Sequence, residues 1–259
     1  MLRLVAVLFA VAAITVALVP AQWLAVKLRL PLRRRVPGLY HRLICRLLRV
    51  KTRVVGQPDR ASPLLVVANH VSWLDIPIIT AHLPAVFVAK SEVAAWPVLG
   101  LLARLQRTVF VARERRYQTG AATREMALRL AEGDPVVLFA EGTSSDGNRV
   151  LPFRSSLVGA AHALLADATH TQVFLQPLTI AYTGLHGVRL GRVHRPRLAW
   201  YGGMELAPHI AGVIRAGAVE AALIWGEPIP CAPGSDRKEL TRALEREVRL
   251  KFATALRAP

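Results

Sequence analysis

The chain has 259 residues, 53% of them hydrophobic, which suffices for a packed core and excludes an intrinsically disordered protein. Its 34 lysine and arginine residues against 17 aspartate and glutamate residues leave a net charge of +17. That charge favours a negative partner such as nucleic acid, an anionic membrane or an acidic substrate. With only two cysteines, Cys45 and Cys231, the chain excludes a disulfide scaffold and a cysteine-rich zinc module.

An uncharged stretch at residues 4–26 predicts an N-terminal membrane helix, since about 20 apolar residues span a bilayer core. Basic residues follow directly, and the positive-inside rule therefore places this flank in the cytoplasm. They are Lys27, Arg29, Arg33, Arg34 and Arg35. A cleaved secretory signal is one alternative. A hairpin lying in one leaflet, with its bend at Pro20, is another.

A second, amphipathic helix with a basic face is predicted over residues 38–50, where apolar residues recur at helical spacing. Residues 27–60 contain eleven basic side chains and one acidic side chain, so this span holds +10 of the net charge. A membrane surface suits such a helix, and a solvated face packed on a domain is the alternative. Because Pro31 and Pro37 favour a linker, we expect a membrane anchor and basic linker over residues 1–37 and a folded domain over residues 38–259.

The folded domain is predicted to be α/β, with a largely parallel central sheet flanked by helices. Short apolar runs predict strands at residues 64–68, 86–89, 108–112, 136–140, 173–180 and 222–225. Helical periodicity predicts helices over residues 123–131 and from Asp236 onward, where Asp236 and Glu239 resemble a capping box.

The first predicted strand is followed by Asn69, His70 and Ser72, at the kind of strand end where α/β sheets bind ligands. Asp75, five residues after His70, is placed to accept a hydrogen bond from one imidazole nitrogen. The other nitrogen then stays free as a general base. A histidine that serves only packing is the alternative, and the local aspartate argues against it.

Other strand ends carry glycines and arginines. Gly142 and Gly147 permit a tight turn or a close approach to a ligand. Arginines suit bidentate contact with phosphate or carboxylate, and candidates are Arg113, Arg115, Arg116, Arg149 and Arg154. A polar turn and a solvated surface cluster are the alternatives. The sequence has no Gly-x-Ser-x-Gly elbow, no nucleotide-binding glycine motif and no histidine pair at metal-ligand spacing, so we expect neither a serine nucleophile nor a catalytic metal.

Four blocks between about residues 60 and 185 resemble, in order, those of the glycerolipid acyltransferases, the lysophosphatidic acid acyltransferase superfamily. Residues 69–75, with His70 and Asp75, resemble its His-x4-Asp signature. Residues 108–113 resemble a second block in which an arginine ends an apolar strand. Residues 139–143 resemble Phe-Pro-Glu-Gly-Thr, and residues 175–178 match a fourth block centred on proline.

The resemblance implies a glycerolipid acyltransferase-type domain that transfers a fatty acyl group to a lysolipid hydroxyl. The co-substrate is an acyl thioester of acyl carrier protein or coenzyme A, with no bound cofactor and no metal. His70 is then the general base and Asp75 orients it. The substrate-binding residues are Asn69, Ser72, Arg113, Glu141, Gly142 and Thr143. We expect the enzyme at a bacterial-type inner membrane with its catalytic domain on the cytoplasmic side.

Three departures from the family pattern bear on the acceptor: Ala140 replaces proline, Ser144 replaces arginine and Arg107 replaces glycine. The arginine missing at 144 is associated with an acceptor phosphate. Residues 87–93, 141–147 and 200–202 are more similar to the bacterial branch that acylates lyso-ornithine lipid. Both this lipid and 1-acyl-sn-glycerol-3-phosphate stay open, because other arginines can replace the missing one. Asp146 either faces an acceptor amine or serves as a turn residue.

A different class of function is a membrane-tethered basic binding protein for anionic lipid or nucleic acid, without acyl transfer. Charge alone supports it. Aromatic residues are 6% of the chain, and no nucleic-acid-binding module is visible, so we expect no nucleic acid among the partners. The expected partners are membrane lipids, the thioester donor and a lysolipid acceptor.

Overall fold

The computed structural model describes residues 1–60, 63–111, 116–156, 161, 165 and 172–257. Arg113, a predicted substrate-binding residue, lies outside these described residues. Two helices open the chain, α1 at Leu2–Lys27 and α2 at Leu32–Leu48. Among the described residues, α1 is the one helix long and apolar enough to cross a membrane.

The expected linker between Pro31 and Pro37 is wrong, because α2 begins directly after Pro31 and continues through Pro37. The expected boundary between residues 37 and 38 therefore falls inside a helix. Proline has no N–H, so Pro37 leaves the carbonyl of Arg33 without its helical donor. The side chain of Gln22 supplies one, since its Nε2 donates to the Arg33 carbonyl at 3.1 Å and to the Leu105 carbonyl at 2.7 Å.

A mixed nine-stranded sheet forms the centre of the described part of the chain. Its strands are β1 at Lys51–Val55, β2 at Leu64–Ala68, β3 at Val86–Lys90, β4 at Val109–Val111, β5 at Val136–Phe139, β6 at Val173–Leu185, β7 at Val188–Arg189, β8 at Val219–Trp225 and β9 at Ile229–Cys231. The order is β1-β8-β6-β2-β5-β3-β4, with β7 and β9 also paired to β6. Pairing is parallel from β6 through to β4 and between β1 and β8, whereas β6 is antiparallel to β7, β8 and β9.

The predicted parallel sheet is thus confirmed for the strands around β2. Every residue of β2 and β5 is buried, as expected for parallel strands covered on both faces. Because β2, β3 and β5 run parallel, their carboxyl ends meet at one edge of the sheet. The strands β1, β7 and β9 were not predicted, and β6 continues beyond the predicted end at residue 180.

Five further helices lie in the described ranges: α3 at Asp75–His82, α4 at Leu99–Leu105, α5 at Arg116–Ala131, α6 at Leu206–Ala216 and α7 at Arg237–Arg257. Short 3-10 helices occupy Ser91–Ala95 and Arg195–Arg197. The predicted start of α7 is confirmed, since Asp236 Oδ1 accepts the backbone N–H of Lys238 at 2.7 Å and so satisfies an amide of the first turn.

One side of α1 packs on the protein, against α2, α4 and α6. Arg3 lies against Gly217 near one end of α1, and the hydroxyl of Thr15 is 3.0 Å from that of Tyr40. Gln22 is buried near the other end. The opposite side is apolar and exposed, at Leu2, Val5, Leu8, Phe9, Val16, Trp23 and Leu24. The helix therefore presents one face to the protein and another suited to an apolar environment.

Arg107, which replaces a family glycine, adopts a positive φ of 64°. Glycine is favoured in that region because it has no Cβ. The arginine side chain forms ion pairs with Glu132 and Asp134, and Arg34 of α2 contacts the same Asp134 at 2.5 Å. These pairs tie α2 to the turn after α5, which stabilises the position of the N-terminal helices on the sheet.

We expect Gln22→Ala to destabilise the protein, because the substitution leaves the carbonyls of Arg33 and Leu105 without the donor they share. A buried polar group that loses its partner costs about 1–3 kcal/mol. Thermal unfolding in detergent measures the effect as a lower Tm. The matched control is Gln57→Ala, because the Gln57 side chain is exposed. Equal Tm values for the two variants would contradict the assigned role of Gln22.

Candidate active site

His70 lies in the loop that joins β2 to α3, at the carboxyl edge of the sheet. Asn69 fixes the start of this loop on β6: its Nδ2 donates to the carbonyl of Ile180 and its Oδ1 accepts the N–H of Ile180, both at 2.9 Å. Ser72 directs its backbone N–H to Asp75 at 3.0 Å. Both Asn69 and Ser72 are fully buried, so the structure places these two predicted substrate-binding residues behind the site, as supports of the loop.

The Asp75 carboxylate is fully buried and accepts four hydrogen bonds. Its Oδ2 accepts from the backbone N–H of Val71 at 2.7 Å and from that of Ser72, and it lies 2.8 Å from His70 Nδ1. Its Oδ1 accepts the hydroxyl of Tyr182 at 2.7 Å. An ionised carboxylate is an acceptor only, and each partner here offers a donor. The predicted contact between Asp75 and His70 is present.

The His70 imidazole is held on two sides. Nδ1 faces Asp75, so Nδ1 carries the proton and Nε2 is the unprotonated nitrogen of a neutral ring. The ring stacks on Phe139, with centroids 4.0 Å apart and planes 18° apart. The side chain remains 18% exposed. A histidine with a fixed tautomer and one accessible nitrogen is equipped to act as a general base.

The loop after β5 passes directly beside His70. Glu141 Oε1 accepts the backbone N–H of His70 at 3.3 Å, and the N–H of Ser145 donates to the His70 carbonyl at 2.9 Å. Gly142 has a φ of +70°, which favours glycine. Thr143 is exposed at the tip of this turn. The structure therefore brings Glu141, and the turn that contains Gly142 and Thr143, beside His70.

The Glu141 carboxyl has an unusual environment. Burial raises its pKa to about 8, partly opposed by hydrogen bonds from backbone amides and reinforced by the nearby Asp75 carboxylate. Its second oxygen, Oε2, is buried with no hydrogen-bond partner in the described part of the chain. At neutral pH the Glu141 carboxyl is therefore largely protonated.

Arg154 lies over the glycine of this turn. Its backbone N–H donates to the Ala140 carbonyl at 2.8 Å, and a Cβ added at Gly142 would meet Arg154 Nε at 3.1 Å. The residue is exposed, and no carboxylate of the described residues lies within ion-pair distance of its guanidinium. An arginine thus stands beside the loop whose family arginine is replaced by Ser144.

Asp146 forms a local turn: its carboxylate accepts the backbone N–H and the side-chain Nδ2 of Asn148, at 3.0 Å and 3.2 Å. This geometry agrees with the turn role rather than with a contact to an acceptor amine. Trp200 forms a wall beside the loop, because its carbonyl accepts the Ser144 hydroxyl and its N–H donates to the Val71 carbonyl at 2.9 Å. Among the described residues, no cluster of His, Cys, Asp and Glu is placed to hold a metal ion.

Sequence reasoning missed Tyr182 and the role of Phe139. Tyr182 lies 107 residues from Asp75, so no spacing rule connects them. The sequence feature that could have indicated it is the apolar run of β6, which continues past residue 180. This extension places the Tyr182 hydroxyl beside the loop between β2 and α3. Burial and the adjacent Asp75 carboxylate raise the pKa of Tyr182 well above its ordinary value, so the hydroxyl stays protonated and donates.

Comparisons with known proteins bear on the family and the fold of the chain. A protein-family model described as Acyltransferase matches residues 50–181. The lyso-ornithine lipid O-acyltransferase of Brucella abortus (strain 2308) is 47% identical, over 98% of this chain and 96% of the relative. The lyso-ornithine lipid O-acyltransferase of Rhizobium meliloti (strain 1021) is 46% identical, over 94% of this chain and 84% of the relative. The 1-acyl-sn-glycerol-3-phosphate acyltransferase of Neisseria gonorrhoeae is 40% identical, over 41% of this chain and 43% of the relative.

A solved structure shares the fold. The crystal structure of the 1-acyl-sn-glycerophosphate (LPA) acyltransferase PlsC from Thermotoga maritima has a TM-score of 0.67. The match covers 100% of this chain and 96% of that protein, at 22% sequence identity. The predicted acyltransferase-type α/β fold is thereby confirmed.

We expect Glu141→Gln to remove a pH dependence of stability. In the folded protein the carboxyl keeps its proton up to about pH 8, whereas in the unfolded chain it loses it near its ordinary value of 4.5. The native state therefore binds the extra proton between these values, and its stability falls as pH rises through that window. Glutamine resembles the protonated carboxyl and is free of this loss. The variant should gain stability over the wild type as pH rises.

Urea unfolding in detergent at about pH 5 and about pH 8 measures this difference. Glu227→Gln is the matched control, because Glu227 is exposed. A Glu141→Gln protein whose stability falls with pH as steeply as that of the wild type would show that Glu141 is not held protonated.

Proposed function

The chain belongs to the Acyltransferase family, and from that premise we propose that it transfers a fatty acyl group from a thioester to the hydroxyl of a lysolipid in membrane lipid biosynthesis. One observation carries the proposal. His70 Nδ1 is tied to the buried Asp75 at 2.8 Å, while its ring stays partly exposed at the end of β2. A lipid hydroxyl is a poor nucleophile at neutral pH, and a fixed histidine base corrects that deficiency.

His70 Nε2 removes the proton of the acceptor hydroxyl as the hydroxyl oxygen attacks the carbonyl carbon of the thioester. A carbon–oxygen bond forms, and the electrons of the carbonyl π bond move to its oxygen. Collapse of this tetrahedral oxyanion breaks the carbon–sulfur bond. The leaving thiolate takes the proton from the His70 imidazolium and departs as a thiol. Asp75 stabilises the imidazolium during these steps, and no covalent acyl-enzyme forms.

The oxyanion needs hydrogen-bond donors, and we assign them to the backbone of the loop after β5. This loop is fixed beside His70 by the Ser145 N–H and by Glu141 Oε1. The positive φ of Gly142 turns the chain sharply there, and Thr143 follows at the exposed tip. Backbone amides held in place before the reaction stabilise developing charge without a cost of reorganisation.

We propose lyso-ornithine lipid as the acceptor. In sequence, the relatives that act on it in Brucella abortus and Rhizobium meliloti align with nearly the whole chain, whereas the 1-acyl-sn-glycerol-3-phosphate acyltransferase of Neisseria gonorrhoeae aligns with 41% of it. Ser144 in place of arginine fits an acceptor without a phosphate monoester. The reaction then esterifies the hydroxyl of the lipid, next to a headgroup that carries a carboxylate and an amine.

Arg154 is the residue that we assign to the acceptor carboxylate. Its guanidinium lies over Gly142, beside the loop that carries Glu141, and it is exposed without a carboxylate partner among the described residues. Arginine binds planar carboxylates through two parallel hydrogen bonds. This position would hold the anionic end of the acceptor close to His70.

We further propose that the donor is acyl carrier protein or coenzyme A thioester, and that the enzyme works on the cytoplasmic side of a bacterial inner membrane. The basic residues after α1 support that side, because the cytoplasmic leaflet carries a negative surface potential that attracts them. Both ends of α1 contact the folded domain, at Gly217 and at Leu105. A helix of 26 residues is about 39 Å long, which is more than the thickness of the hydrocarbon core. If α1 spanned the bilayer, its two contacts with the folded domain would therefore have to lie on opposite sides of the membrane. This supports a helix that lies within one leaflet.

The alternative of a basic binding protein without acyl transfer has lost its support. It rested on net charge alone, and the chain is an acyltransferase by family. The paired His70 and Asp75 are held in a catalytic geometry that a purely binding protein would not need. The charge fits a membrane surface and an acidic substrate equally well.

We expect His70→Ala to lower acyl transfer by about 10²- to 10⁴-fold, the usual contribution of a general base. The assay uses the purified protein, radiolabelled acyl thioesters of acyl carrier protein and of coenzyme A, and lyso-ornithine lipid or lysophosphatidic acid as acceptor. His194→Ala, at an exposed histidine, is the matched control and should retain the wild-type rate. Near-normal turnover by His70→Ala would refute the mechanism. A wild-type protein that acylates only lysophosphatidic acid would refute the acceptor.

We expect Arg154→Gln to raise the KM for lyso-ornithine lipid about tenfold to a hundredfold with a smaller change in kcat, because a hydrogen bond to a charged group is lost. Arg154→Lys should recover part of the affinity, since the charge remains and the bidentate geometry does not. The control is Arg246→Gln, at an exposed arginine of α7. An unchanged KM in Arg154→Gln would remove Arg154 from the acceptor site.

A further inference from the structure

An uncharged segment lies exposed at the surface beside the active site. The eleven residues 93–103 carry no charged side chain. Several large apolar side chains of this segment face solvent: Val98 is 61% exposed, Leu101 is 47% exposed and Leu99 is 38% exposed. A cluster of exposed apolar side chains marks an interaction site on a folded protein.

The shape of the 93–103 segment is fixed by its own contacts. Gly100 packs so closely on the carbonyl of Ala94 that a Cβ would collide with it, and the Arg104 guanidinium donates to the same carbonyl at 2.6 Å. Val98 has a φ of +60°, a strained conformation for a branched side chain. The apolar side chains are therefore held outward by defined structure.

The 93–103 segment adjoins the catalytic edge of the sheet. It follows β3, whose carboxyl end lies at the same edge as that of β2. The ring of Trp96 contacts that of Trp200, with centroids 6.1 Å apart and planes 78° apart. Trp200 in turn donates its backbone N–H to Val71, the residue after His70. One tryptophan pair thus separates the exposed segment from the loop that holds the base.

The same segment is continuous with the apolar face of α1. Helix α4, which contains Leu99 and Leu101, packs against α1, and Gln22 of α1 bonds to the Leu105 carbonyl at the end of α4. Trp23, Leu24 and Leu28 lie exposed next to Gln22 in the chain. The exposed apolar side chains of α1 and of the 93–103 segment therefore lie on elements that pack against each other.

We propose that the 93–103 segment is a second membrane-inserting element, whose occupant is the apolar region of an anionic bilayer. Its flanks suit that environment, because Lys90 and Arg104 are exposed on either side and can remain among the headgroups. The lysolipid acceptor would then enter the site sideways from the bilayer. That consequence depends on the proposed acyl transfer, whereas the insertion itself does not.

Site-specific labelling tests the insertion. Val98→Cys and Leu101→Cys proteins are labelled with bimane and reconstituted in vesicles of phosphatidylglycerol and brominated phosphatidylcholine. The native cysteines interfere little, because both are buried and burial raises the pKa of the Cys45 thiol to about 12. Leu250→Cys is the matched control: Leu250 is 67% exposed on α7 and has charged neighbours at Arg249 and Lys251.

Bimane at positions 98 and 101 should be quenched by brominated lipid and shielded from iodide in water, whereas bimane at position 250 should show the reverse. Iodide quenching at 98 and 101 equal to that at 250 would overturn the proposal. The same outcome would follow if the segment docked a protein such as the acyl carrier protein, because in vesicles alone it would stay exposed to water. Acyl transfer by each labelled protein shows that the fold is intact.

A kinetic test connects the segment to the acceptor. The double variant Val98→Asp/Leu101→Asp should lower transfer to lyso-ornithine lipid embedded in vesicles by roughly tenfold or more, since the two apolar contacts with lipid are lost. With the acceptor in detergent micelles it should keep the wild-type rate, and Leu250→Asp should be unaffected in both. Wild-type rates on vesicles would overturn delivery from the bilayer. If the double variant also lost activity in micelles, it would be misfolded. The bimane quenching experiment would then be the test of membrane insertion.

Discussion

The buried carboxylate of Asp75 is the constraint on which the site depends. A charge removed from water is costly unless donors surround it, and this carboxylate is fully buried. Its donors come from three directions: two backbone amides of the loop, the ring of His70, and the hydroxyl of Tyr182. Each donor must be present for the charge to be tolerated, so the requirement of one side chain fixes the loop, the imidazole and β6 relative to one another.

The sheet supplies the geometry that this requirement needs. β2 ends at Ala68, which pairs with Leu178 of β6, whereas β6 continues to Leu185. Tyr182 therefore lies on the part of β6 that extends beyond β2, where its hydroxyl reaches the loop. Asn69 adds a second link by pairing with the backbone of Ile180. A shift of register between β2 and β6 would break both links, which makes the tautomer of His70 a consequence of strand pairing.

The two carboxyl groups near His70 illustrate how environment divides chemical roles. The Asp75 carboxylate accepts four hydrogen bonds, whereas the Glu141 carboxyl accepts backbone hydrogen bonds only and leaves Oε2 without a partner among the described residues, although both groups are buried. The raised pKa of Glu141, about 8, follows from burial and from the neighbouring Asp75. In the proposed mechanism, a neutral Glu141 would leave the His70 imidazolium with Asp75 as its carboxylate partner. The same neutral carboxyl anchors the loop after β5 by accepting the His70 amide, without adding a second negative charge where an oxyanion develops.

Sequence alone predicted the parts of the site that depend on local spacing. His70 and Asp75 lie five residues apart, and the loop of Glu141 to Thr143 follows a strand directly. Local sequence patterns were therefore enough to predict these residues as parts of one site. Tyr182 and Phe139 depend on which strands are neighbours, and a single sequence does not specify strand order. The burial of Asn69 and Ser72 was missed for the same reason, because β6 covers them. The linker was wrong because Gln22 provides, from another helix, the hydrogen bond that Pro37 removes.

The apolar surfaces also bear on the choice between acyl transfer and hydrolysis. A base that activates a lipid hydroxyl also activates water, and water is far more abundant at an exposed strand end. The protein alone does not exclude water from this site, because the His70 side chain remains partly exposed. A bilayer held against α1 and the 93–103 segment would cover that opening with hydrocarbon while it presents the acceptor. The membrane then acts as the lid of the active site: it excludes the competing nucleophile and strengthens the electrostatic interactions around the oxyanion. The net charge of +17 would then contribute to catalysis as well as to membrane binding. Its attraction to anionic headgroups would hold the exposed side of the active site against the bilayer.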